Sequence, residues 1–251
     1  MAVPYRMIDI KTSDEAFKSI IIKYFDDFKK FMKAPDLKCP PINLVDKFDD
    51  LTCAHVKNGV LEVSKLYFIA LKQGAIPVLY HEFAHVYDDY MIKPTNKLED
   101  LGLSIYTEYH ASVVQMMTAT GFTSYYKDKK ISNSCQIKDM LDDCDIKEYL
   151  KKQHRLNGEL YIDTSNIGES FKIARKQMFY CIGKMYFAQK YIKEDSTPLL
   201  SLEPFINIFG KNVLALKDIL FLNDCSKNIL SQLARVQDAI MREFESKFSI
   251  D

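Results

Sequence analysis

The sequence predicts an α+β fold that is mainly helical, with one small β-sheet in the first half and helices through the second. Three observations point there. Apolar residues recur at helical spacing over most of the chain. One strong hairpin signal, Asn58-Gly59, sits between two short runs of strand-forming residues. Beyond a polar stretch from Ser124 to Asn133, helical patterns dominate as far as Lys247.

Thr12 to Lys33 reads as the first helix. Thr12 and Glu15 suit a capping box, and Phe17, Ile20, Ile21, Tyr24, Phe28 and Phe31 form an apolar stripe. Pro35 and Cys39-Pro40-Pro41 then break the pattern. Leu51 to Lys57 and Val60 to Ser64 flank Asn58-Gly59, a pair that tolerates the positive φ of a tight hairpin turn. Lys65 to Leu71 reads as a third strand or as a helix. Ile76 to Tyr90 is a helix with Pro77 at a first-turn position, and Asp100 to Gly121 is the next, with Gly121 as its C-terminal cap. Further on, helices are predicted over Ile137 to Leu150, over Gly168 to Lys193, and in two segments between Leu202 and Lys247. Asn157-Gly158 followed by Leu160-Tyr161-Ile162 reads as a short hairpin, and Phe179, Tyr180, Ile182, Met185, Tyr186 and Ala188 as a core stripe. The organisation is therefore a core over residues 1–123 and a helical region over 134–251, either separate or sharing that core.

A chain of 251 residues, 47% hydrophobic, can bury a full core. Its 34 basic and 34 acidic side chains cancel, which argues against a non-specific binder of nucleic acid or of an anionic membrane. Met1 to Arg6 lacks the apolar core of a signal peptide, and no run approaches the length of a membrane span. The six cysteines are scattered without a paired motif, so reduced thiols in the cytoplasm are expected. Export by a route without a signal peptide stays open.

The most informative segment is His81-Glu82-Phe83-Ala84-His85. Two imidazoles four residues apart on a helix share a face and can reach one metal ion, while the glutamate between them points beside it, placed to deprotonate a water. Leu79, Phe83, Val86 and Tyr90 lie nearly opposite His81, His85 and Asp88, so one face can enter the core while the other faces a cleft. Structural zinc sites are usually closed by four ligands and rich in cysteine; no cysteine lies near this helix, so a catalytic zinc site is expected.

Such a site needs a third protein ligand. Glu108 is the leading candidate, because Ser104, Glu108, Ala111, Ser112 and Gln115 form a strip of mostly small residues that lets a helix approach a metal closely. His110 competes with it, but lies about 200° around the helix from Glu108 at roughly 100° per residue, so the two cannot face one ion. Asp88, on the face of His85, suits a hydrogen bond behind a ligand imidazole better than direct ligation. A further donor for a developing oxyanion is expected, with His154 or Tyr161 as candidates.

With His81-Glu82-Phe83-Ala84-His85 followed by Glu108 on the next helix, the chain resembles the gluzincin metallopeptidases. Within them it is most similar to the ImmA/IrrE type, whose Glu-x-x-Ala pattern is matched by Glu108-Tyr109-His110-Ala111. The run from His81 to Tyr90 is also similar to the zinc helix of anthrax lethal factor. The likeness covers about residues 50 to 120 and leaves the C-terminal half unmatched. It implies a zincin-like domain with a small sheet beside the zinc helix. It further implies Zn2+ held by His81, His85 and Glu108, Glu82 as general base, and a sheet edge that holds the substrate as an added strand.

The function expected is that of a zinc endopeptidase acting on a specific protein or peptide, without nucleic-acid or membrane partners. The ImmA/IrrE likeness implies an intracellular target such as a transcriptional repressor. A rival expectation is a non-catalytic zinc-binding regulatory protein with a vestigial motif, its C-terminal helices contacting a partner.

Overall fold

The computed structural model describes residues 14–46, 53–67, 71, 76–138, 143–194 and 199–248. The fold is mainly helical. Helix α1 (Asp14–Met32) buries Phe17, Ile21, Phe25, Phe28, Phe31 and Met32. Phe25 belongs to that face, whereas Ile20 and Tyr24 from the expected stripe sit only half-buried at its margin. Thr12, expected as the cap, lies outside the described residues. The helix ends at Lys33, whose φ of 53° turns the chain out of helical geometry ahead of Pro35.

A three-stranded sheet follows, formed by β1 (Ile42–Val45), β2 (Ala54–Lys57) and β3 (Val60–Ser64) in the order β1-β3-β2. β2 and β3 are the two arms of the predicted hairpin. Asn58 and Gly59 take φ of 52° and 73°, the left-handed pair that a two-residue turn between right-twisted strands requires. The third strand is β1, parallel to β3. Lys65 and Leu66 form a turn, and residues 68–70 lie outside the described residues. Strands this short are marginal alone. Ala54, Leu61 and Val63 are buried, and β2 packs against the next helix.

That helix is α2 (Ile76–Met91), with Pro77 in its first turn. Its buried face is Leu79, Tyr80, Phe83 and Ala84, with Phe25, Phe28 and Phe31 of α1 meeting Phe83 and Tyr80 edge-on at ring separations of 4.9 to 5.8 Å. Tyr90, expected in the stripe, is 45% exposed; the α1 aromatics cover only the first three turns.

Helix α3 (Lys97–Ala119) occupies the centre and packs against α2 and two later helices. Asn96 caps it: its Oδ1 accepts from the Glu99 N–H at 3.0 Å, while the Glu99 carboxylate accepts from the Thr95 N–H at 2.7 Å. At the other end, the Phe122 N–H donates to the Met117 carbonyl and the Gly121 N–H to that of Thr118, with Gly121 at φ 80°. This is the left-handed termination expected of Gly121.

The second half departs from its prediction at the start. The expected helix over 137–150 begins instead as a two-stranded ribbon, β4 (Gln136–Lys138) and β5 (Asp143–Asp145). Helix α4 (Ile146–Gly158) starts only at Ile146, because Asp145 caps it by accepting from the Glu148 N–H. Asn157-Gly158 is the end of α4 and no hairpin forms there; Asn157 is buried in the helix. A short 3-10 turn leads into α5 (Ile167–Tyr191). Three helices follow where two were expected, α6 (Glu203–Phe209), α7 (Asn212–Leu220) and α8 (Lys227–Phe248), because Gly210 at φ 81° interrupts the first segment.

Residues from both halves share one buried cluster, running from Phe17 of α1 to Phe244 of α8. Two glycines set how closely the helices stack. A Cβ at Gly102 of α3 would collide with the Leu230 carbonyl of α8. At Gly183 of α5 it would come within 2.8 Å of the Tyr109 carbonyl and the Ser112 Cβ of α3. Alanine at Gly102 would gain up to about 1 kcal/mol in helix propensity. The collision with backbone costs about 1–3 kcal/mol, so it dominates. Gly102→Ala is therefore expected to lower the melting temperature, and at least as much as Asn96→Ala, which removes a cap worth about 1 kcal/mol. Thermal unfolding of both variants checks the order.

Candidate metal centre

Helix α2 places His81 and His85 one turn apart, and α3 brings Glu108 across to them. One ligand-capable atom from each of His81, His85 and Glu108 lies within 4.8 Å of the others. His81 Nε2 and Glu108 Oε2 are 3.9 Å apart, and the two imidazole centroids 5.0 Å apart. A tetrahedral ion with bonds near 2.1 Å holds its ligands about 3.4 Å from one another. The triplet is therefore slightly more open than a loaded site and closes with small side-chain rotations. Among the described residues, this is the group of three such side chains with a spacing that could hold a metal ion.

The chemistry of the donors also suits a cation. His81 is 3% exposed, and burial drives its pKa well below the ordinary value, so the imidazole is neutral and offers a lone pair. Glu108 Oε2 is buried without a hydrogen-bond partner, a costly state for a carboxylate unless a positive charge sits against it. Glu82 lies beside this group, and burial raises its pKa. Its Oε2 accepts from the Val56 N–H of β2 at 3.1 Å. Val56 pairs with Leu61 at a position of the hairpin where its N–H faces outward from β3, so the outer edge of β2 reaches α2 at Glu82.

These groups line a cleft of about 670 Å³ bounded by β2, α2, α3 and α5, with His85, Glu82 and Glu108 in its wall and Lys176 of α5 at its rim. His55 of β2 also faces it. Its Nε2 lies 2.7 Å from Glu62 Oε2, and Glu62 Oε1 accepts from Asn43 Nδ2 at 3.0 Å, a polar row across all three strands. These contacts, Asn43 first, hold the Glu62 carboxyl below its usual range.

One expectation from the sequence meets a different arrangement. Asp88, expected behind a ligand imidazole, turns both carboxylate oxygens to His110 Nδ1 at 2.8 and 2.9 Å. His110, the competing third ligand, is thus committed to Asp88 inside a box of Tyr87, Tyr106 and Tyr125. The group behind His85 is the Thr107 hydroxyl, 2.8 Å from its Nδ1. The cause is the crossing of α2 and α3, which sets Asp88 opposite His110 and leaves the smaller Thr107 opposite His85.

His154 and Tyr161, the expected oxyanion donors, are both exposed and do not line the cleft; Tyr161 is 78% exposed. A phenol that does stand at the imidazoles is Tyr180 of α5, whose hydroxyl lies 3.3 Å from His81 Nε2, its ring 5.2 Å from the imidazole. Burial, then the Glu108 and Glu82 charges, raises its pKa well above ordinary, so the O–H stays protonated. The sequence carried a signal that the core-stripe reading passed over: Lys176, Tyr180 and Lys184 recur every four residues, marking a face that is not wholly apolar.

Asp88→Ala is expected to cost about 1–3 kcal/mol, because it leaves His110 buried without its partner. Thermal unfolding reads this loss. No protein-family model matches the chain, and no match is found among curated proteins or solved structures.

Proposed function

We propose that the chain is a zinc-dependent endopeptidase of the zincin-like type, hydrolysing peptide bonds of a protein substrate. The observation that carries this reading is the convergence of His81, His85 and Glu108, with His85, Glu108 and the Glu82 carboxylate in the cleft wall and His81 buried behind it. His81, His85 and Glu108 would hold the metal. Zinc, when bound, supplies a Lewis acid that polarises a carbonyl and lets water act as a nucleophile near neutral pH.

The remaining roles belong to side chains of this chain. Glu82 takes a proton from the attacking water as the water oxygen bonds to the carbonyl carbon. It then delivers that proton to the amine nitrogen as the C–N bond breaks. The Val56 N–H holds the Glu82 carboxylate from the side of the sheet. The Tyr180 O–H donates to the carbonyl oxygen as negative charge develops on it. The outer edge of β2, unpaired with another strand among the described residues, can take an extended peptide as an added strand beside Val56, with main-chain hydrogen bonds supplying affinity and little sequence demand. The exposed Lys97, Asp100 and Leu101 at the rim of the cleft leave room for a chain that continues past the site.

The test separates metal binding from chemistry. Glu82→Gln should bind one zinc and lose about 10²–10⁴-fold in the rate of cleaving a quenched fluorescent peptide library. His81→Ala should lose zinc and cleavage together. A chelator should stop the unsubstituted protein and added zinc restore it. Undiminished cleavage by Glu82→Gln would remove the mechanism. Zinc occupancy without any chelator-sensitive cleavage would favour a zinc-binding regulatory protein.

A further inference from the structure

Helix α3 carries several hydroxyls, and they do not all serve the same end. Ser104 Oγ donates to the Leu101 carbonyl at 2.7 Å, and Thr118 Oγ1 to the Val114 carbonyl at 3.0 Å. A bond back to the preceding turn is a common use of a hydroxyl inside a helix. Thr107 departs from that pattern. Among the described residues, its Oγ1 is paired with His85 Nδ1 of α2 at 2.8 Å. The side chain is half-buried and lines the cleft, so its own O–H can donate to solvent while its oxygen accepts from the ring.

We propose that Thr107 is a positioning residue for the metal centre: its Oγ1 accepts a hydrogen bond from His85 Nδ1–H and leaves the Nε2 lone pair to the cation. This rests on the metal reading above. A neutral imidazole has one proton, and the nitrogen that carries it cannot ligate. Which nitrogen that is depends on the hydrogen bond the ring makes, and a proton on Nε2 would block the site. The same contact restrains rotation of the ring, so the lone pair keeps its direction. Glu108 is the next residue on α3, with its Oε2 3.9 Å from His81 Nε2. Two consecutive residues of one helix thus supply one ligand and orient another, and docking of α3 prepares both together.

The experiment measures the zinc affinity of the full-length protein by competition with a chromophoric chelator, for the unsubstituted protein, Thr107→Val and Thr107→Ser. Valine keeps the branched shape and removes the hydroxyl, whereas serine keeps the hydroxyl. Thr107→Val should bind zinc about 10–100-fold more weakly. Thr107→Ser should stay close to the unsubstituted protein. Metal-free thermal unfolding of each variant separates lost ligation from loosened packing of α2 on α3. In the metal-free unsubstituted protein, nitrogen-15 NMR of the neutral His85 ring should place its proton on Nδ1, and Thr107→Val should move it toward Nε2. Unchanged affinity in Thr107→Val, or equal weakening in both variants, overturns the proposal while leaving the metal reading standing. Should Thr107→Val fail to fold, a proton on His85 Nε2 in the unsubstituted protein overturns it. Failure of the unsubstituted protein to bind zinc removes the metal reading and this one with it.

Discussion

The crossing of α2 and α3 is the constraint on which the rest of the structure depends. Two short polar contacts hold it, Thr107 to His85 and His110 to Asp88, each 2.8 Å long. They lie on neighbouring turns of both helices and fix rotation as well as separation. Glu108 is the neighbour of Thr107 on α3, and its Oε2 lies 3.9 Å from His81 Nε2. A hydroxyl and a histidine opposite α2 do what larger apolar side chains could not, because those would push the helices apart. The aromatic box around His110 shields the Asp88 contact from water, which strengthens it.

Charge in the cleft follows from the same crossing. His81 and Glu82 are buried by the approach of α3 and α5, and burial moves their pKa values in opposite directions, down for the imidazole and up for the carboxyl. Both shifts disfavour charge where no ion compensates it. The Val56 N–H and the nearby Lys176 act the other way on Glu82. The Glu82 carboxylate is thus held between opposing influences in the cleft wall.

Local features were legible in the sequence and tertiary ones less so. The spacing of His81, Glu82 and His85 is decided within one helical turn, and the Asn58-Gly59 turn within two residues. Glu108 was legible one step further out, because small neighbours on its own helix marked an approach face. Tyr180 was not. It reaches His81 across 99 residues of sequence, and an aromatic between Phe179 and Ile182 reads as core. Asp88 and His110 were both singled out, but their meeting depends on an angle between helices that no periodicity encodes. Strand β1 was missed because its partner β3 is parallel and reached only after β2 has intervened. The helix expected over 137–150 failed at Asp145, whose capping role separates ribbon from helix.

Gly183 gives the architecture a temporal consequence. By letting α5 lie against Tyr109 and Ser112, it brings in Tyr180 from a part of the chain synthesised long after the histidines. A polypeptide emerging from the ribosome has the paired imidazoles first, then the carboxylate, and the phenol only when α5 has been made and docked. The motif-bearing half is therefore an unfinished vessel during translation, with one wall missing. Completion of the cleft is tied to completion of the fold.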